Sequence, residues 1–239
     1  MKRILFTLLT VLLPLSGVAQ NASGDAYARW YGDKFSMFIH FGLYSHLGGV
    51  WDGEPVTQGY SEQIQSFAGI FGDWYAMTAD EFDPKDFDAH EIVALARQAG
   101  MRSVVFTTKH HDGFCLFDSA LTDFKSTNTP FGRDAVAEFV EAVRAEGLKV
   151  GLYFSLIDWY HEDFPHYGDR QHPMRSHPEC SNEGRDFDRY LEYMHGQVRE
   201  LCENYGKLDI LWFDFSYGDM RGEKWKAAEL VDMVRSLQP

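Results

Sequence analysis

Hydrophobic and polar positions along this chain switch between two spacings. Phe35 to Tyr44 is a continuous apolar and aromatic run that closes on Gly42 and polar residues. Ala89 to Ala99 spaces Ile92, Val93, Leu95 and Ala96 as one face of a helix and stops at Gly100. Ser103 to Thr108 is β-branched and apolar, and Ala135 to Ala145 returns to helical spacing before Gly147. Lys149 to Ile157 predicts a third strand, and Glu183 to Tyr205 a long amphipathic helix. Leu208 to Phe215 and Glu223 to Leu237 repeat the alternation a fourth time.

Four strand–helix alternations predict parallel strands with helices packed outside them. The strands are apolar on both faces, as strands covered on both sides must be. A doubly wound open sheet and a (β/α)8 barrel both fit. The open sheet normally shows a Gly-rich turn after its first strand, and Gly42, Gly48 and Gly49 do not make that fingerprint. Each strand here runs into polar and aromatic residues: His40, then Lys109 to Asp112, then Asp158-Trp159-Tyr160, then Asp214. Barrels carry their chemistry at strand C-termini, which favours a TIM-like barrel. About four β/α units are visible, so the expectation is the first half of such a barrel.

The first residues alter the domain picture. Lys2 and Arg3 precede an apolar run, Ile4 to Leu15, and small residues at Ser16 to Ala19. That pattern predicts a signal peptide over 1–19 with cleavage after Ala19 or Gln20, rather than a membrane anchor. Residues 20–239 are then an exported domain, periplasmic or secreted. The net charge of −14 becomes −16 once Lys2 and Arg3 leave. So acidic a chain repels nucleic acid and anionic lipid, which excludes them as partners and favours a neutral or cationic ligand. Cys115, Cys180 and Cys202 allow one disulfide whose pairing stays open, and none has the spacing of a metal or redox site.

Asp214 is the principal candidate for chemistry. A carboxylate closing the run Ile210-Leu211-Trp212-Phe213 is costly unless it lines a polar cavity. Period-two alternation puts Trp212 on the same face. A carboxylate beside an aromatic ring suits attack on an anomeric carbon, with the sugar's apolar face on the ring. His110 and His111 would point to opposite faces of a continuing strand, and both reach a pocket only if a turn begins there. Together with His40 they could bind sugar hydroxyls or a metal; the missing HxH spacing favours hydroxyls. Asp73-Trp74-Tyr75 could form an acidic and aromatic wall. His161, His166, His172 and His177 are spaced irregularly, which predicts a solvated insertion.

At these residues the sequence resembles the α-L-fucosidases of glycoside hydrolase family 29. The segments are Trp30-Tyr31 with Phe38 to Gly42, Thr107 to Phe114, Gly151 to Ser155 with Asp158-Trp159-Tyr160, and Leu211 to Asp214. The resemblance implies an α-L-fucosidase that hydrolyses terminal α-L-fucosyl linkages of glycans with retention, through a covalent fucosyl-enzyme on Asp214. It implies that His40, His110, His111 and Trp212 hold the fucose, with Trp74 and Tyr153 in the same pocket. Asp73 stands where many members have Glu. No metal and no organic cofactor is implied. The family's general acid/base Glu and its C-terminal β-sandwich are expected beyond Pro239, so these residues correspond to the N-terminal part of the catalytic domain. Two other readings stay open: a non-catalytic exported sugar-binding remnant, and a metal-dependent barrel hydrolase.

Overall fold

In the computed structural model, residues 27–166, 169–177 and 180–239 are described. The signal segment expected over 1–19 lies outside them. The chain forms two units, Met1–Lys34 and Phe35–Pro239. In the first, residues 27–33 form helix α1, where the Tyr27 ring lies 5.9 Å from Trp30 and 6.1 Å from Tyr31. The second holds the sheet and its helices.

Three of the strand-to-helix connections end on the same device. Asp88, Asp134 and Asp186 are the N-caps of α5 (Ala89–Gln98), α6 (Ala135–Ala145) and α7 (Phe187–Asn204). Each carboxylate accepts backbone N–H groups of the first turn, which no helical carbonyl can satisfy. The first two helices stop at Gly100 and Gly147, which adopt φ of +81° and +65° at no side-chain cost. The strands between them are β1 (Ser36–Ile39), β4 (Ser103–Lys109), β5 (Lys149–Ser155) and β6 (Ile210–Asp214), with α8 (Ala227–Leu237) after the last. All three pairings are parallel and follow chain order, β1-β4-β5-β6. This is the α/β architecture with a parallel sheet that the alternation predicts.

One face of the sheet packs on the helices. Phe106 of β4 stacks on Phe139 of α6 with centroids 4.2 Å apart and planes 9° from parallel. The central strands are buried almost throughout, whereas β1 alternates between exposed and half-buried positions and β6 is half-buried with Trp212 exposed. That difference is what edge position in a four-stranded sheet produces.

The other face is concave. Neighbouring strands are about 4.8 Å apart, so β1 and β6 would be about 14 Å apart in a flat sheet. Yet the rings of Phe38 on β1 and Trp212 on β6 meet edge-to-face at 5.3 Å. Tyr153 on β5 lies 5.7 Å from the same Phe38. The sheet therefore curls strongly toward this face and gathers side chains from its two edges.

The connection from β1 to α5 departs from expectation. The apolar run predicted as a strand through Tyr44 ends at Ile39, and Leu43–Leu47 forms helix α2. Extended Gly42 separates the two, and Leu43 and Tyr44 are buried as helix residues. The connection then forms a small hairpin, β2 (Val50–Trp51) with β3 (Glu54–Pro55), and short helices α3 (Ile64–Phe67) and α4 (Gly72–Ala76). The insertion after β5 is also less solvated than its spacing predicts. His172 is 1% exposed, and Asp163 and Asp169 are buried. Arg185 crosslinks the segment by donating to the carbonyls of His161, Glu162 and Phe164. No disulfide joins Cys115, Cys180 or Cys202, and Cys115 and Cys202 are buried. Among the described residues no helix is long and apolar enough to cross a membrane.

Candidate active site

The C-terminal ends of the strands converge on Asp214. Its backbone ends β6, and the next residue, Phe215, adopts a left-handed φ of +66°, which is strained for an aromatic residue. That turn lets the Phe215 N–H donate to Asp214 Oδ1 at 2.7 Å. The Tyr153 hydroxyl, from the neighbouring strand, donates to Oδ2 at 2.8 Å. Both carboxylate oxygens are thus held, and each keeps a lone pair free.

The bonds continue from Tyr153 to His110, and their direction is fixed. The His111 N–H donates to His110 Nδ1 at 2.9 Å, so neutral His110 carries its proton on Nε2. Nε2 donates to the Tyr153 oxygen at 3.1 Å, and the Tyr153 hydroxyl in turn donates to Asp214. Burial holds the His110 imidazolium well below the usual range, helped by the positive charges His111, His40 and Lys109 would carry. Burial, and then the Asp214 carboxylate, push the Tyr153 phenol up. The chain therefore works as neutral imidazole, neutral phenol and carboxylate.

A register irregularity between Thr107 and Lys109 lies at the end of β4, just before a turn from His110 to Gly113. It turns Lys109 toward the Phe154 ring and α7, and brings both histidines to the concave side. The rings of His110 and His111 are perpendicular with centroids 4.1 Å apart. His111 is fully buried and lies flat on Trp159 at 3.8 Å. Neither of its ring nitrogens has a hydrogen-bond partner in the protein. Burial lowers its basicity too. His40 follows β1 and sits 5.0 Å from both the His110 and the Tyr153 rings. Burial lowers its pKa, opposed by the negative charges of Glu62 and then Asp214.

The structure thus brings together His40, His110, His111, Tyr153, Trp212 and Asp214. Trp212 is 49% exposed and shares Phe38 with Tyr153 as a neighbour, so its indole forms one open wall of the concavity. Asp73 and Trp74 are placed differently. They lie exposed on α4, and the only ring contact of Trp74 among the described residues is Phe71 at 5.8 Å. Their chain neighbour Tyr75 is buried, and its hydroxyl donates to Asp112 Oδ2 at 2.9 Å.

Sequence reasoning missed Glu62, Phe38, Tyr44 and Phe215. Glu62 lies in a 3-10 turn, Ser61–Gln63, within an irregular stretch that shows no periodicity. Its charge acts on His40, Tyr44 and Tyr153 together. Phe38 carried a signal, because period two puts it on the face of His40. Among the described residues no three His, Cys, Asp or Glu side chains are grouped to hold a metal ion.

The α-L-fucosidase family model matches residues 18–239, nearly the whole chain. The chain belongs to the α-L-fucosidase family. The α-L-fucosidase of Dictyostelium discoideum is 35% identical over 224 residues, covering 86% of this chain and 45% of that one. The solved structure of α-L-fucosidase isoenzyme 1 from Paenibacillus thiaminolyticus is 53% identical with a TM-score of 0.83, covering 91% of this chain and 49% of that one. The α-L-fucosidase AlfC from Lactobacillus casei, solved in complex with α-L-fucose product, is 35% identical with a TM-score of 0.79, covering 90% and 67%. This α-L-fucosidase family chain spans less than half the length of the curated relatives it matches.

Proposed function

We propose that this chain carries the fucose-holding and nucleophile side of a retaining α-L-fucosidase acting on terminal α-L-fucosyl groups of glycans. One observation carries the reading: the directed hydrogen bonds from His110 through Tyr153 to Asp214 Oδ2, ending beside an exposed indole. Asp214 would attack the anomeric carbon. A C–O bond forms to the carboxylate as the glycosidic C–O bond breaks, and the leaving oxygen takes a proton from a second carboxylic acid about 5 Å away. Water then displaces the carboxylate with the second residue as base.

The pocket suits an oxocarbenium-like transition state. Its imidazoles are neutral and its charge is carboxylate, so positive charge developing at the anomeric carbon is stabilised. The two nitrogens of His111 supply one donor and one acceptor for sugar hydroxyls. His40 adds another polar edge, and Trp212 with Phe38 offers an apolar wall for the sugar's C–H face. Asp73 and Trp74 would join the same pocket on the strength of the family resemblance alone. No cofactor enters this scheme. The curl of the sheet and its strand order support a (β/α)8 barrel of which residues 20–239 supply about four units. The charged, apolar and small-residue pattern of residues 1–19 supports export.

Labelling tests the reading. The chain is incubated with 2-deoxy-2-fluoro-α-L-fucosyl fluoride, whose leaving group needs no acid catalyst. The expected result is a single fluorofucosyl mass increment on the peptide containing Asp214, absent from Asp214→Gly. L-Fucose binding without labelling would favour the sugar-binding remnant, and no fucose binding at all would refute the fucose assignment.

A further inference from the structure

A buried ion pair lies beside the two histidines and has no part in the chemistry above. Lys109 Nζ donates to Asp158 Oδ2 at 2.9 Å, with the side chains 0% and 1% exposed. The ammonium also lies over the rings of Phe154, Tyr193 and Tyr190, at 4.7, 5.7 and 5.9 Å. Such a pair is a poor source of stability, because desolvating two charges offsets most of their attraction. Its geometry has a clearer effect. Asp158 Oδ1 accepts the N–H groups of Tyr160 and His161 at 3.0 and 2.9 Å. One carboxylate therefore ties the end of β4 to the chain leaving β5. Between these anchors, the Trp159 N–H donates to the His111 carbonyl at 2.7 Å, and the indole lies under the His111 ring. Gly113 passes close by with φ +83°, where a Cβ would stand 2.4 Å from Asp158 Oδ1.

We propose that the Lys109–Asp158 pair is a positioning clamp, holding His111 flat on Trp159 so that its two unbonded nitrogens face a ligand's hydroxyls. The identity of that ligand rests on the fucose reading; the ring geometry does not.

The test compares the 239-residue chain with the neutral pair Lys109→Met/Asp158→Asn. That pair removes both charges together and keeps an acceptor oxygen for the Tyr160 and His161 N–H groups. The indole ring current shields the His111 ring protons, so their NMR signal reports the stacking directly. Expected are an unfolding midpoint within about 4 °C of the parent, a His111 signal moved toward its unshielded position, and a tenfold or greater loss of L-fucose affinity. A folded neutral pair whose His111 signal and fucose affinity match the parent's overturns the proposal. So does lost stability with an unmoved His111 signal, which marks a merely structural pair. If the neutral pair does not fold, Gly113→Ala makes the same comparison, since its Cβ displaces the Asp158 carboxylate without removing a charge. An unmoved His111 signal in that variant also overturns the clamp. If the parent itself binds no fucose, the fucose reading fails while the His111 signal still decides the clamp.

Discussion

Asp112 makes the stability of this chain depend on pH in an unusual sense. Its carboxyl is buried, and burial pushes its pKa from 3.8 up to about 7. Asp158 adds to the rise, while Lys109 and two hydrogen bonds, from the Tyr75 hydroxyl and the Phe114 N–H, oppose it. Between those two pH values the folded chain keeps a proton on Asp112 that the unfolded chain has released. The contribution is therefore fully present below pH 3.8 and is lost as pH rises through 7. A span of about three units, at about 1.4 kcal/mol each, comes to about 4 kcal/mol. Asp112→Asn stays neutral throughout and nearly preserves shape. Its carbonyl can keep one donor, and about 1 kcal/mol is lost where the amide meets the other. Urea unfolding of parent and variant at pH 4.5, 6 and 8 gives a difference curve from which the histidines cancel. The variant should be near the parent's stability at pH 4.5 and about 3 kcal/mol more stable at pH 8. A difference that stays flat across this range would refute the argument from burial.

Three further outcomes follow from the same geometry. Tyr153→Phe removes the donor to Asp214 Oδ2 and leaves His110 Nε2 without its acceptor; loss of one charge-assisted bond, about 1.5–3 kcal/mol, should slow fluorofucosyl labelling about tenfold to hundredfold, and an unchanged rate would remove Tyr153 from the site. Glu62→Gln withdraws the leading charge that raises His40 against the effect of burial, so the His40 NMR titration should shift to lower pH, and a shift upward or none would show Glu62 to be remote. Phe139→Ala empties a fully buried position stacked on Phe106 and should cost about 3–5 kcal/mol by urea unfolding, with the signals of the site histidines unmoved.

The helices and central strands were legible because their signals are local. Asp caps, glycine stops and unbroken β-branched runs each act within a few residues. The run from Phe35 to Tyr44 misled for the reason that makes short apolar runs ambiguous: Leu43 and Tyr44 are buried in either a strand or a helix, and periodicity cannot separate the two. His172 was invisible as a core residue because its ring neighbours Trp159, Phe164 and His166 meet it only once the loop folds back on itself, with Arg185 tied to the Phe164 carbonyl. Glu62 gave no signal at all. A carboxylate in an irregular connection looks the same whether it faces solvent or His40, and only the folded path decides.

The two adjacent histidines show where the limit of sequence reading lies. Strict alternation would send His110 and His111 to opposite faces, so the sequence requires β4 to end before both can serve one pocket. The register irregularity between Thr107 and Lys109 comes just before that ending, which is the turn from His110 to Gly113. It also gives Lys109 to the helix side, where an ammonium is tolerable only against Asp158 and three aromatic rings. Bringing both histidines to one side of the sheet and burying a charge are therefore two results of how one segment leaves β4. This is why the segment Lys109-His110-His111-Asp112-Gly113 behaves as a unit: a neutral residue at Lys109 would leave the Asp158 charge buried alone, and a side chain at Gly113 would collide with it. The chemistry attributed to Asp214 depends on the same exit from β4, since His110 reaches it, through Tyr153, only from the position that this path gives it.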